Sequence, residues 1–319
     1  MPPPFDNEST SNDVVQGADL TGKTVLITGA SGGLGAETAR ALASVGANVT
    51  LAARDIPKVE SVAESIRNSG VAGKIEVTAL ELTSLDSVRG CAKRFLAEND
   101  RLDILINNAG LMGCELTRTA EGWELQLATN HIGHFLLTCL LVPALRSAAQ
   151  ARIVNLSSAG HRLGDMDFDD PHFETRDYDK WLAYGQSKTA NILFTRELDR
   201  RLCARGVRAI AVHPGMIMTE LGRHLTPEDV QDLMSRADPE AGRPTFKSIE
   251  QGAATSCWVA SAAELDNQGG LYCEDCHVAE EKVDGASISG ISPHAVNPES
   301  ALRLWTLSES WVGESFPLD

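Results

Sequence analysis

Apolar and polar residues follow two rhythms along this chain. Short apolar runs of strand length occupy residues 23–28, 48–53, 74–80, 102–106, 152–156, 207–212 and 270–272. Between them lie longer segments whose apolar positions recur every three or four residues, at 34–45, 59–68, 85–98, 122–146, 180–202 and 250–262. The first pattern suits buried strands and the second suits helices. Ser84 stands where it would cap the helix at 85–98. Apolar strands alternating with helices predict a parallel sheet covered on both faces. Right-handed crossovers then give a doubly wound, Rossmann-type α/β fold of seven strands, as a single domain over residues 20–319.

Three stretches fit neither rhythm: 159–179, 216–248 and 274–298. Loops of this length inside a compact domain are functional or disordered. The first two follow the fifth and sixth strands, whose C-terminal ends open onto the ligand crevice of such a sheet. They are expected to roof it as substrate loops. Residues 1–19 are rich in Pro, Ser, Asn and Asp and hold no apolar run, so they read as a mobile tail and not as an export signal or anchor. The longest apolar stretch, 135–145, falls short of the roughly 18 residues needed to span a bilayer.

Composition narrows the partners. The 319 residues carry a formal net charge of −16, which argues against nucleic acid or an anionic membrane as a general partner. The seven scattered cysteines, without an export signal, point to reduced thiols and a cytoplasmic location. Cys273-Glu274-Asp275-Cys276-His277 matches the C-x-x-C-H spacing of c-type haem attachment. That chemistry needs export, and no second ligand pair accompanies it for zinc. No metal is expected.

The chemistry begins at Thr28-Gly29-Ala30-Ser31-Gly32-Gly33-Leu34-Gly35, between the first strand and the first long helix. Glycines there allow a tight turn and close approach of the backbone to a pyrophosphate, which the helix N-terminus would hold. The second strand ends Ala53-Arg54. A neutral residue followed by arginine suits the 2′-phosphate of NADP, whereas NAD sites place a carboxylate there. Asp55, one residue further, is expected to pair with Arg54. Glu81 and Leu82 after the third strand are placed to approach the adenine. Asn108, Ala109 and Gly110 after the fourth strand are placed beside the ribose.

Tyr184-Gly185-Gln186-Ser187-Lys188 puts a phenol and an ammonium four residues apart on one helix face. An adjacent ammonium favours the phenolate and lowers the tyrosine pKa from about 10. Such a tyrosine can exchange a proton with an alcohol near neutral pH.

With Thr28–Gly35, Asn107–Gly110, Asn130, Ser158, Tyr184/Lys188 and His213-Pro214-Gly215 in this order, the chain resembles the short-chain dehydrogenase/reductase family. Asn130-His131-Ile132-Gly133-His134-Phe135, 152–158 and 187–194 make it most similar to the retinol-dehydrogenase-like branch, which includes the WW-domain oxidoreductases. It is expected to lack the WW module and the anchoring segment found in parts of that branch, and Glu81 stands where the family more often has Asp. The resemblance implies that Tyr184 is the general acid/base and that Lys188 tunes it and binds the nicotinamide ribose. It implies that Ser158, favoured over Ser157, holds the substrate oxygen, and that Asn130 holds a water linking Lys188 to solvent. Pro214 and Gly215 would turn the backbone over the nicotinamide, Ile217 would meet its carboxamide, and Thr219 would touch it or a phosphate. His131, His134 and His161 read as ordinary helix or loop residues. Homo-oligomers through the long helices are common in the family.

Met216, Ile217, Met218 and Leu221 open one roofing segment; Leu163, Met166, Phe168, Phe173 and Trp181 line or flank the other. An adaptable apolar pocket suits a hydrophobic alcohol or ketone. The polar stretch 226–244, with Glu228, Asp229, Asp232, Asp238 and Glu240, is expected to face water. The leading expectation is an NADP-dependent oxidoreductase, with NAD as the alternative cofactor. An epimerase or dehydratase on the same fold, or a nucleotide-binding redox regulator, are the competing readings.

Overall fold

The computed structural model describes residues 5–236, 246–281 and 289–318. Strands β1 (Thr24–Thr28), β2 (Asn48–Ala53), β3 (Ile75–Ala79), β4 (Ile104–Asn107), β5 (Ala151–Leu156), β6 (Val207–His213) and β9 (Leu271–Glu274) run parallel. Their order is β9-β6-β5-β4-β1-β2-β3, so the winding reverses between β1 and β4. The crevice outside the strand ends at that reversal is where α/β sheets of this kind bind ligands. Central strands buried on both faces explain the near-continuous apolar runs of Val25-Leu26-Ile27 and Ile104-Leu105-Ile106, all 4% exposed or less.

Helices α2 (Gly33–Ser44), α3 (Ile56–Asn68) and α9 (Ile249–Ser261) lie on the face whose core includes Ile27, Leu42, Val59 and Cys257. Helices α4 (Leu85–Glu98), α6 (Gly133–Arg146), α7 (Lys180–Leu202) and α10 (Pro298–Val312) cover the other, around Leu105, Phe135, Phe194 and Trp305. Ser84 caps α4 by accepting from Ser87 N.

Three expectations need correction. Among the described residues the sheet has eight strands, not seven. The eighth, β10 (His277–Val278), pairs antiparallel with β9. Asp275 (φ 48°) and Cys276 (φ 57°) both adopt the left-handed region and make the tight turn between them, as two-residue hairpin turns demand. The C-x-x-C-H stretch is therefore this hairpin, with Cys273 and Cys276 buried in the core.

The supposed tail is partly ordered. Helix α1 (Ser11–Val15) begins with a reciprocal capping box between Thr10 and Asp13. It buries Val14 and Val15, and Ser11 Oγ donates to Glu37 of α2 at 2.5 Å. Two adjacent valines were too short a run to register as a pattern.

The long helix expected at 122–146 starts at α5 (Leu125–Leu127) and passes through a π-turn over Ala128–Ile132 before continuing as α6. The span Leu125–Arg146 is long and apolar enough to cross a membrane by length and composition, but 83% of its apolar window is buried inside the protein.

Candidate functional site

The Gly-rich turn leads into α2 with Gly32 as its N-cap and no side chain capping it. A methyl group on Gly32 would meet nothing within 4 Å. The first N–H groups of α2 therefore face open space with the positive end of the helix behind them, a cradle for an anion. Ser31 lies in the turn before this cap. The other side of the turn is closed. A methyl on Gly29 (φ +66°) would lie 2.7 Å from Ala109 Cα, and one on Gly35 would lie 2.6 Å from both the Gly29 carbonyl and Asn108 Nδ2. Asn108 fastens this contact, its Nδ2 donating to the carbonyls of Thr28 and Gly29 at 2.8 and 3.2 Å. These features fit a dinucleotide pyrophosphate, with the open side of the turn at Gly32 and with Gly29 and Gly35 packed against the segment after β4. Leu34 instead packs behind the turn, toward Ile217 and Gly252.

At the ends of β2 and β3 the Arg54 side chain is 65% exposed, with Glu81 at 3.8 Å. Asp55 does not pair with it: its carboxylate caps α3 by accepting from Lys58 N at 3.0 Å. Helix capping outcompetes an exposed ion pair because the N–H would otherwise lack a partner. Glu81 is committed locally to Thr83 N and Oγ1. The Leu82 side chain is buried in the core, and its Cβ and carbonyl lie against Gly133.

Tyr184 and Lys188 stand on α7, 4% and 3% exposed. Lys188 Nζ lies 5.6 Å from the centre of the Tyr184 ring and donates to the carbonyl of Leu156, at the end of β5, at 3.1 Å. A methyl on Gly110 would lie 3.6 Å from this ammonium and 3.3 Å from Asn130 Oδ1, so these three groups converge. Gly160 stands against the Tyr184 ring; a methyl there would lie 2.6 Å from Cε1 and 3.4 Å from Ser158 Oγ.

The expected lowering of the tyrosine pKa is not found. Burial pushes Tyr184 up to about 12, against a hydrogen bond with Ser158 that favours the phenolate. Burial likewise pulls Lys188 down to about 8. Removing both charged forms from water outweighs their mutual stabilisation at this separation.

Asn130 is fixed between two elements. Its side chain is engaged with protein: Oδ1 accepts from Leu111 N at 2.8 Å, and Nδ2 donates to the Leu111 carbonyl and to Ser187 Oγ at 3.0 and 2.8 Å. It clamps the segment after β4 to α7, one residue before Lys188.

Beyond β6, Gly215 takes φ +91° beneath the Lys247 stem. Strand β7 (Met216–Ile217) pairs with β8 (Phe246–Lys247), so the segment between them leaves and returns through one ribbon. Ile217 packs on Gly252 and Leu34, while Met218 is 79% exposed. Thr219 lies beside Gly33, its Cγ2 3.5 Å from where a methyl would sit. Leu221 reaches within 3.6 Å of a methyl on Gly110, and Leu225 crowds Gly113 together with Trp181. Helix α8 (Pro227–Ser235) is anchored as well as solvated. Asp229 pairs with Lys180 at 2.8 Å, and Asp232 accepts from Trp181 Nε1 at 2.8 Å. The expectation of a purely outward acidic stretch is thus corrected for these two residues; Asp238 and Glu240 lie outside the described residues. Met166 and Phe168 belong to the core side of their loop and do not line the crevice.

Several residues that the sequence placed only within motifs, or read as ordinary, have bonding roles that the sequence did not signal. Asn107 Nδ2 donates to Thr138 and Asn155, and Asn155 donates to Thr195, in a buried ladder beneath the strand ends. His213 Nδ1 accepts from Ala159 N and Gly215 N at 3.2 and 3.4 Å, tying the two roofing segments together. His161 bridges the carbonyl of Ser158 and Ser292 N. His134 spans Thr28 and the Asn130 carbonyl. A sequence pattern does not distinguish such histidines from surface ones.

A doubly wound sheet with an uncapped glycine turn at its switch point, and a Ser–Tyr–Lys cluster across the crevice, is the arrangement of the short chain dehydrogenases. Residues 23–230 match that family, and the chain belongs to it. It is an NAD(P)-dependent oxidoreductase of the retinol-dehydrogenase-like branch. The chain is 44% identical over 294 residues to human retinol dehydrogenase 12, covering 92% of this chain and 87% of that one. It is 40% identical over 314 residues to the short-chain dehydrogenase/reductase prx1 of Penicillium rubens, covering 96% and 90%. Among solved structures it is similar to an uncharacterised protein of Mycobacterium paratuberculosis, with a TM-score of 0.72 and 36% identity over 97% of this chain and 99% of that one. It is also similar to Pseudomonas aeruginosa RhlG in complex with NADP, with a TM-score of 0.64 and 26% identity over 80% and 95%.

Proposed function

We propose that the protein interconverts a hydrophobic alcohol and its ketone or aldehyde, with NADP as the preferred cofactor and Tyr184 as the general acid/base. The convergence of Tyr184, Ser158 and Lys188 around one small volume, flanked by Gly110 and Gly160, is the observation that carries this reading.

A bound nicotinamide would supply or accept the hydride. In reduction, Ser158 Oγ donates a hydrogen bond to the substrate oxygen and steadies the charge that develops there. Tyr184 delivers its proton to that oxygen. The phenolate that remains lies beside the Lys188 ammonium, which offsets its charge. In oxidation the same groups run in reverse, with the phenolate accepting the alcohol proton. A tyrosine held protonated by burial is ready as an acid, and loss of its proton draws on Lys188 and Ser158 together. Asn130 positions the turn that carries Lys188 through its bond to Ser187.

The apolar residues beside the segment after β4 support a hydrophobic substrate: Leu221 stands by Gly110, and Leu225 and Trp181 stand by Gly113. NADP preference is supported by Ala53 followed by the exposed Arg54. Seven free cysteines support a cytoplasmic setting. The test is NADPH consumption with a panel of ketones by wild type and Tyr184→Phe. The variant should bind NADPH normally and lose at least about 10²-fold in kcat, the low end for positioned acid/base catalysis. Near-normal turnover by the variant would assign the proton to another group.

A further inference from the structure

Histidine 134 lies in the middle of a buried hydrogen-bond chain that joins the two halves of the site. Asn108 N and Ala109 N both donate to Thr28 Oγ1, at 2.9 and 3.0 Å. Thr28 Oγ1 lies 2.8 Å from His134 Nε2, and His134 Nδ1 lies 3.1 Å from the Asn130 carbonyl. The carbonyl only accepts, so Nδ1 carries a proton. Burial lowers the His134 pKa to about 4, so the ring is neutral and Nε2 is left as an acceptor. Thr28, already accepting twice, has one hydroxyl proton to give, and it goes to Nε2. Every donor and acceptor in the chain is thereby assigned.

The two ends of the imidazole hold different things. At the Nε2 end, Thr28 gathers the backbone of Asn108 and Ala109, and Ala109 is the surface on which Gly29 of the cofactor turn rests. At the Nδ1 end, the Asn130 carbonyl belongs to the π-turn Ala128–Ile132. A π-turn carries one residue more than the α-helix would, and it persists only where outside contacts hold it. Its relaxation to α-helix would rotate Asn130 by about 100° around the axis, the angle per residue of a 3.6-residue turn. That rotation would withdraw the Asn130 amide from Leu111 and from Ser187, next to Lys188.

We propose that His134 is a positioning residue for the oxidoreductase reaction, its Nε2 end holding the dinucleotide turn and its Nδ1 end holding Asn130 and the turn that carries Lys188. The proposal rests on the hydride-transfer reading above, and it makes the two ends separable.

Two substitutions each keep one half of the imidazole. The side chain of His134→Asn can still donate from the Nδ1 position to the Asn130 carbonyl but no longer reaches Thr28. The side chain of His134→Gln can still accept from Thr28 but no longer reaches the carbonyl. NADPH Kd, kcat at saturating NADPH, and Tm are measured for both. His134→Asn should raise the NADPH Kd about fivefold or more and keep kcat within about twofold. His134→Gln should do the opposite, lowering kcat about fivefold or more with Kd within about twofold. Thr28→Val should reproduce the His134→Asn pattern, and combining the two should add little further loss. Parallel changes in Kd and kcat that track Tm, the reverse split, or no change in either would overturn the proposal. If wild type turns over none of the ketone panel, the hydride-transfer reading falls by itself. The Kd arm then decides this one: a rise in His134→Asn but not in His134→Gln sustains it, and any other result overturns it.

Discussion

Ser157 Oγ donates to the main-chain carbonyl of Lys188 at 2.9 Å. The bond ties the end of β5 to α7 one turn beyond Tyr184, and it consumes the hydroxyl of one of two adjacent serines. Ser158 instead caps the short turn that follows, accepting from Gly160 N at 3.0 Å beside the Tyr184 ring. The two serines therefore separate by test. Ser158→Ala should lower kcat about 10²-fold, the scale of one lost donor to a developing oxyanion, with Tm little changed. Ser157→Ala should lower stability by about 0.5–1.5 kcal/mol, the net worth of one hydrogen bond, because the Lys188 carbonyl keeps its partner within α7, with a smaller loss in kcat. Thermal melts and saturating kinetics on both variants decide, and an equal kcat loss from each would remove the distinction.

Arg54 is the second prediction. Its guanidinium is mostly exposed and its carboxylate neighbour Glu81 is 3.8 Å away, so the fork is open to a phosphate. Arg54→Ala should weaken NADPH binding by about 1.5–3 kcal/mol, the scale of a hydrogen bond to a charged group. NADH binding should stay within about twofold. Titration of the two cofactors against both proteins measures this, and equal losses would show that Arg54 serves the fold.

Lys188 gives a pH signature. Burial brings it from 10.5 to about 8, so its folded-state pKa lies below its unfolded value. Between those values the unfolded chain binds more protons, and stability rises with pH. Tyr184 runs the other way: with its pKa raised from 10.0 to about 12, its contribution is present below pH 10 and is lost toward 12. Cofactor-free wild type should thus gain a contribution to Tm between pH 8 and about 9.5. Lys188→Met should lack that contribution and melt higher than wild type at pH 7. The Leu156 carbonyl keeps its bond from Asn191 Nδ2 in the variant, so no orphan acceptor offsets the gain. Differential scanning calorimetry across this range checks it; parallel curves for the two proteins would refute the assignment.

Leu221 and Leu225 test the substrate class. Both reach the glycines after β4, Leu221 toward Gly110 and Leu225 toward Gly113. Apolar contact contributes roughly 25 cal/mol per Å² buried, so a bulky substrate feels its loss and a small one does not. Leu221→Ala or Leu225→Ala should lower kcat/KM several-fold for bulky ketones and leave small ketones and NADPH affinity within about twofold. Met218→Ala, at an exposed position, should change neither. Uniform loss across substrate sizes would show that the leucines support the fold.

The alternation of apolar runs and amphipathic segments was enough to specify the parallel strands, their helices and the glycine turn, because each is set by local periodicity and backbone freedom. Residues at fixed local spacing, such as Tyr184 and Lys188, were legible for the same reason. The eighth strand was not legible, since its two residues pair only across a turn in the left-handed region. Helix α1 was missed because its burial depends on α2 and α9, far along the chain. Asp55 went to a helix cap, settled within three residues by where α3 begins, whereas the Leu82 side chain went to the core, beside Gly133, which only the fold brings near. The π-turn, the commitment of Ser157 to Lys188, and the link from Thr28 through His134 to Asn130 all join residues from separate elements. Burial then reversed the expected direction of the Tyr184 pKa, because desolvation is a property of the packed interior and leaves no mark on sequence spacing.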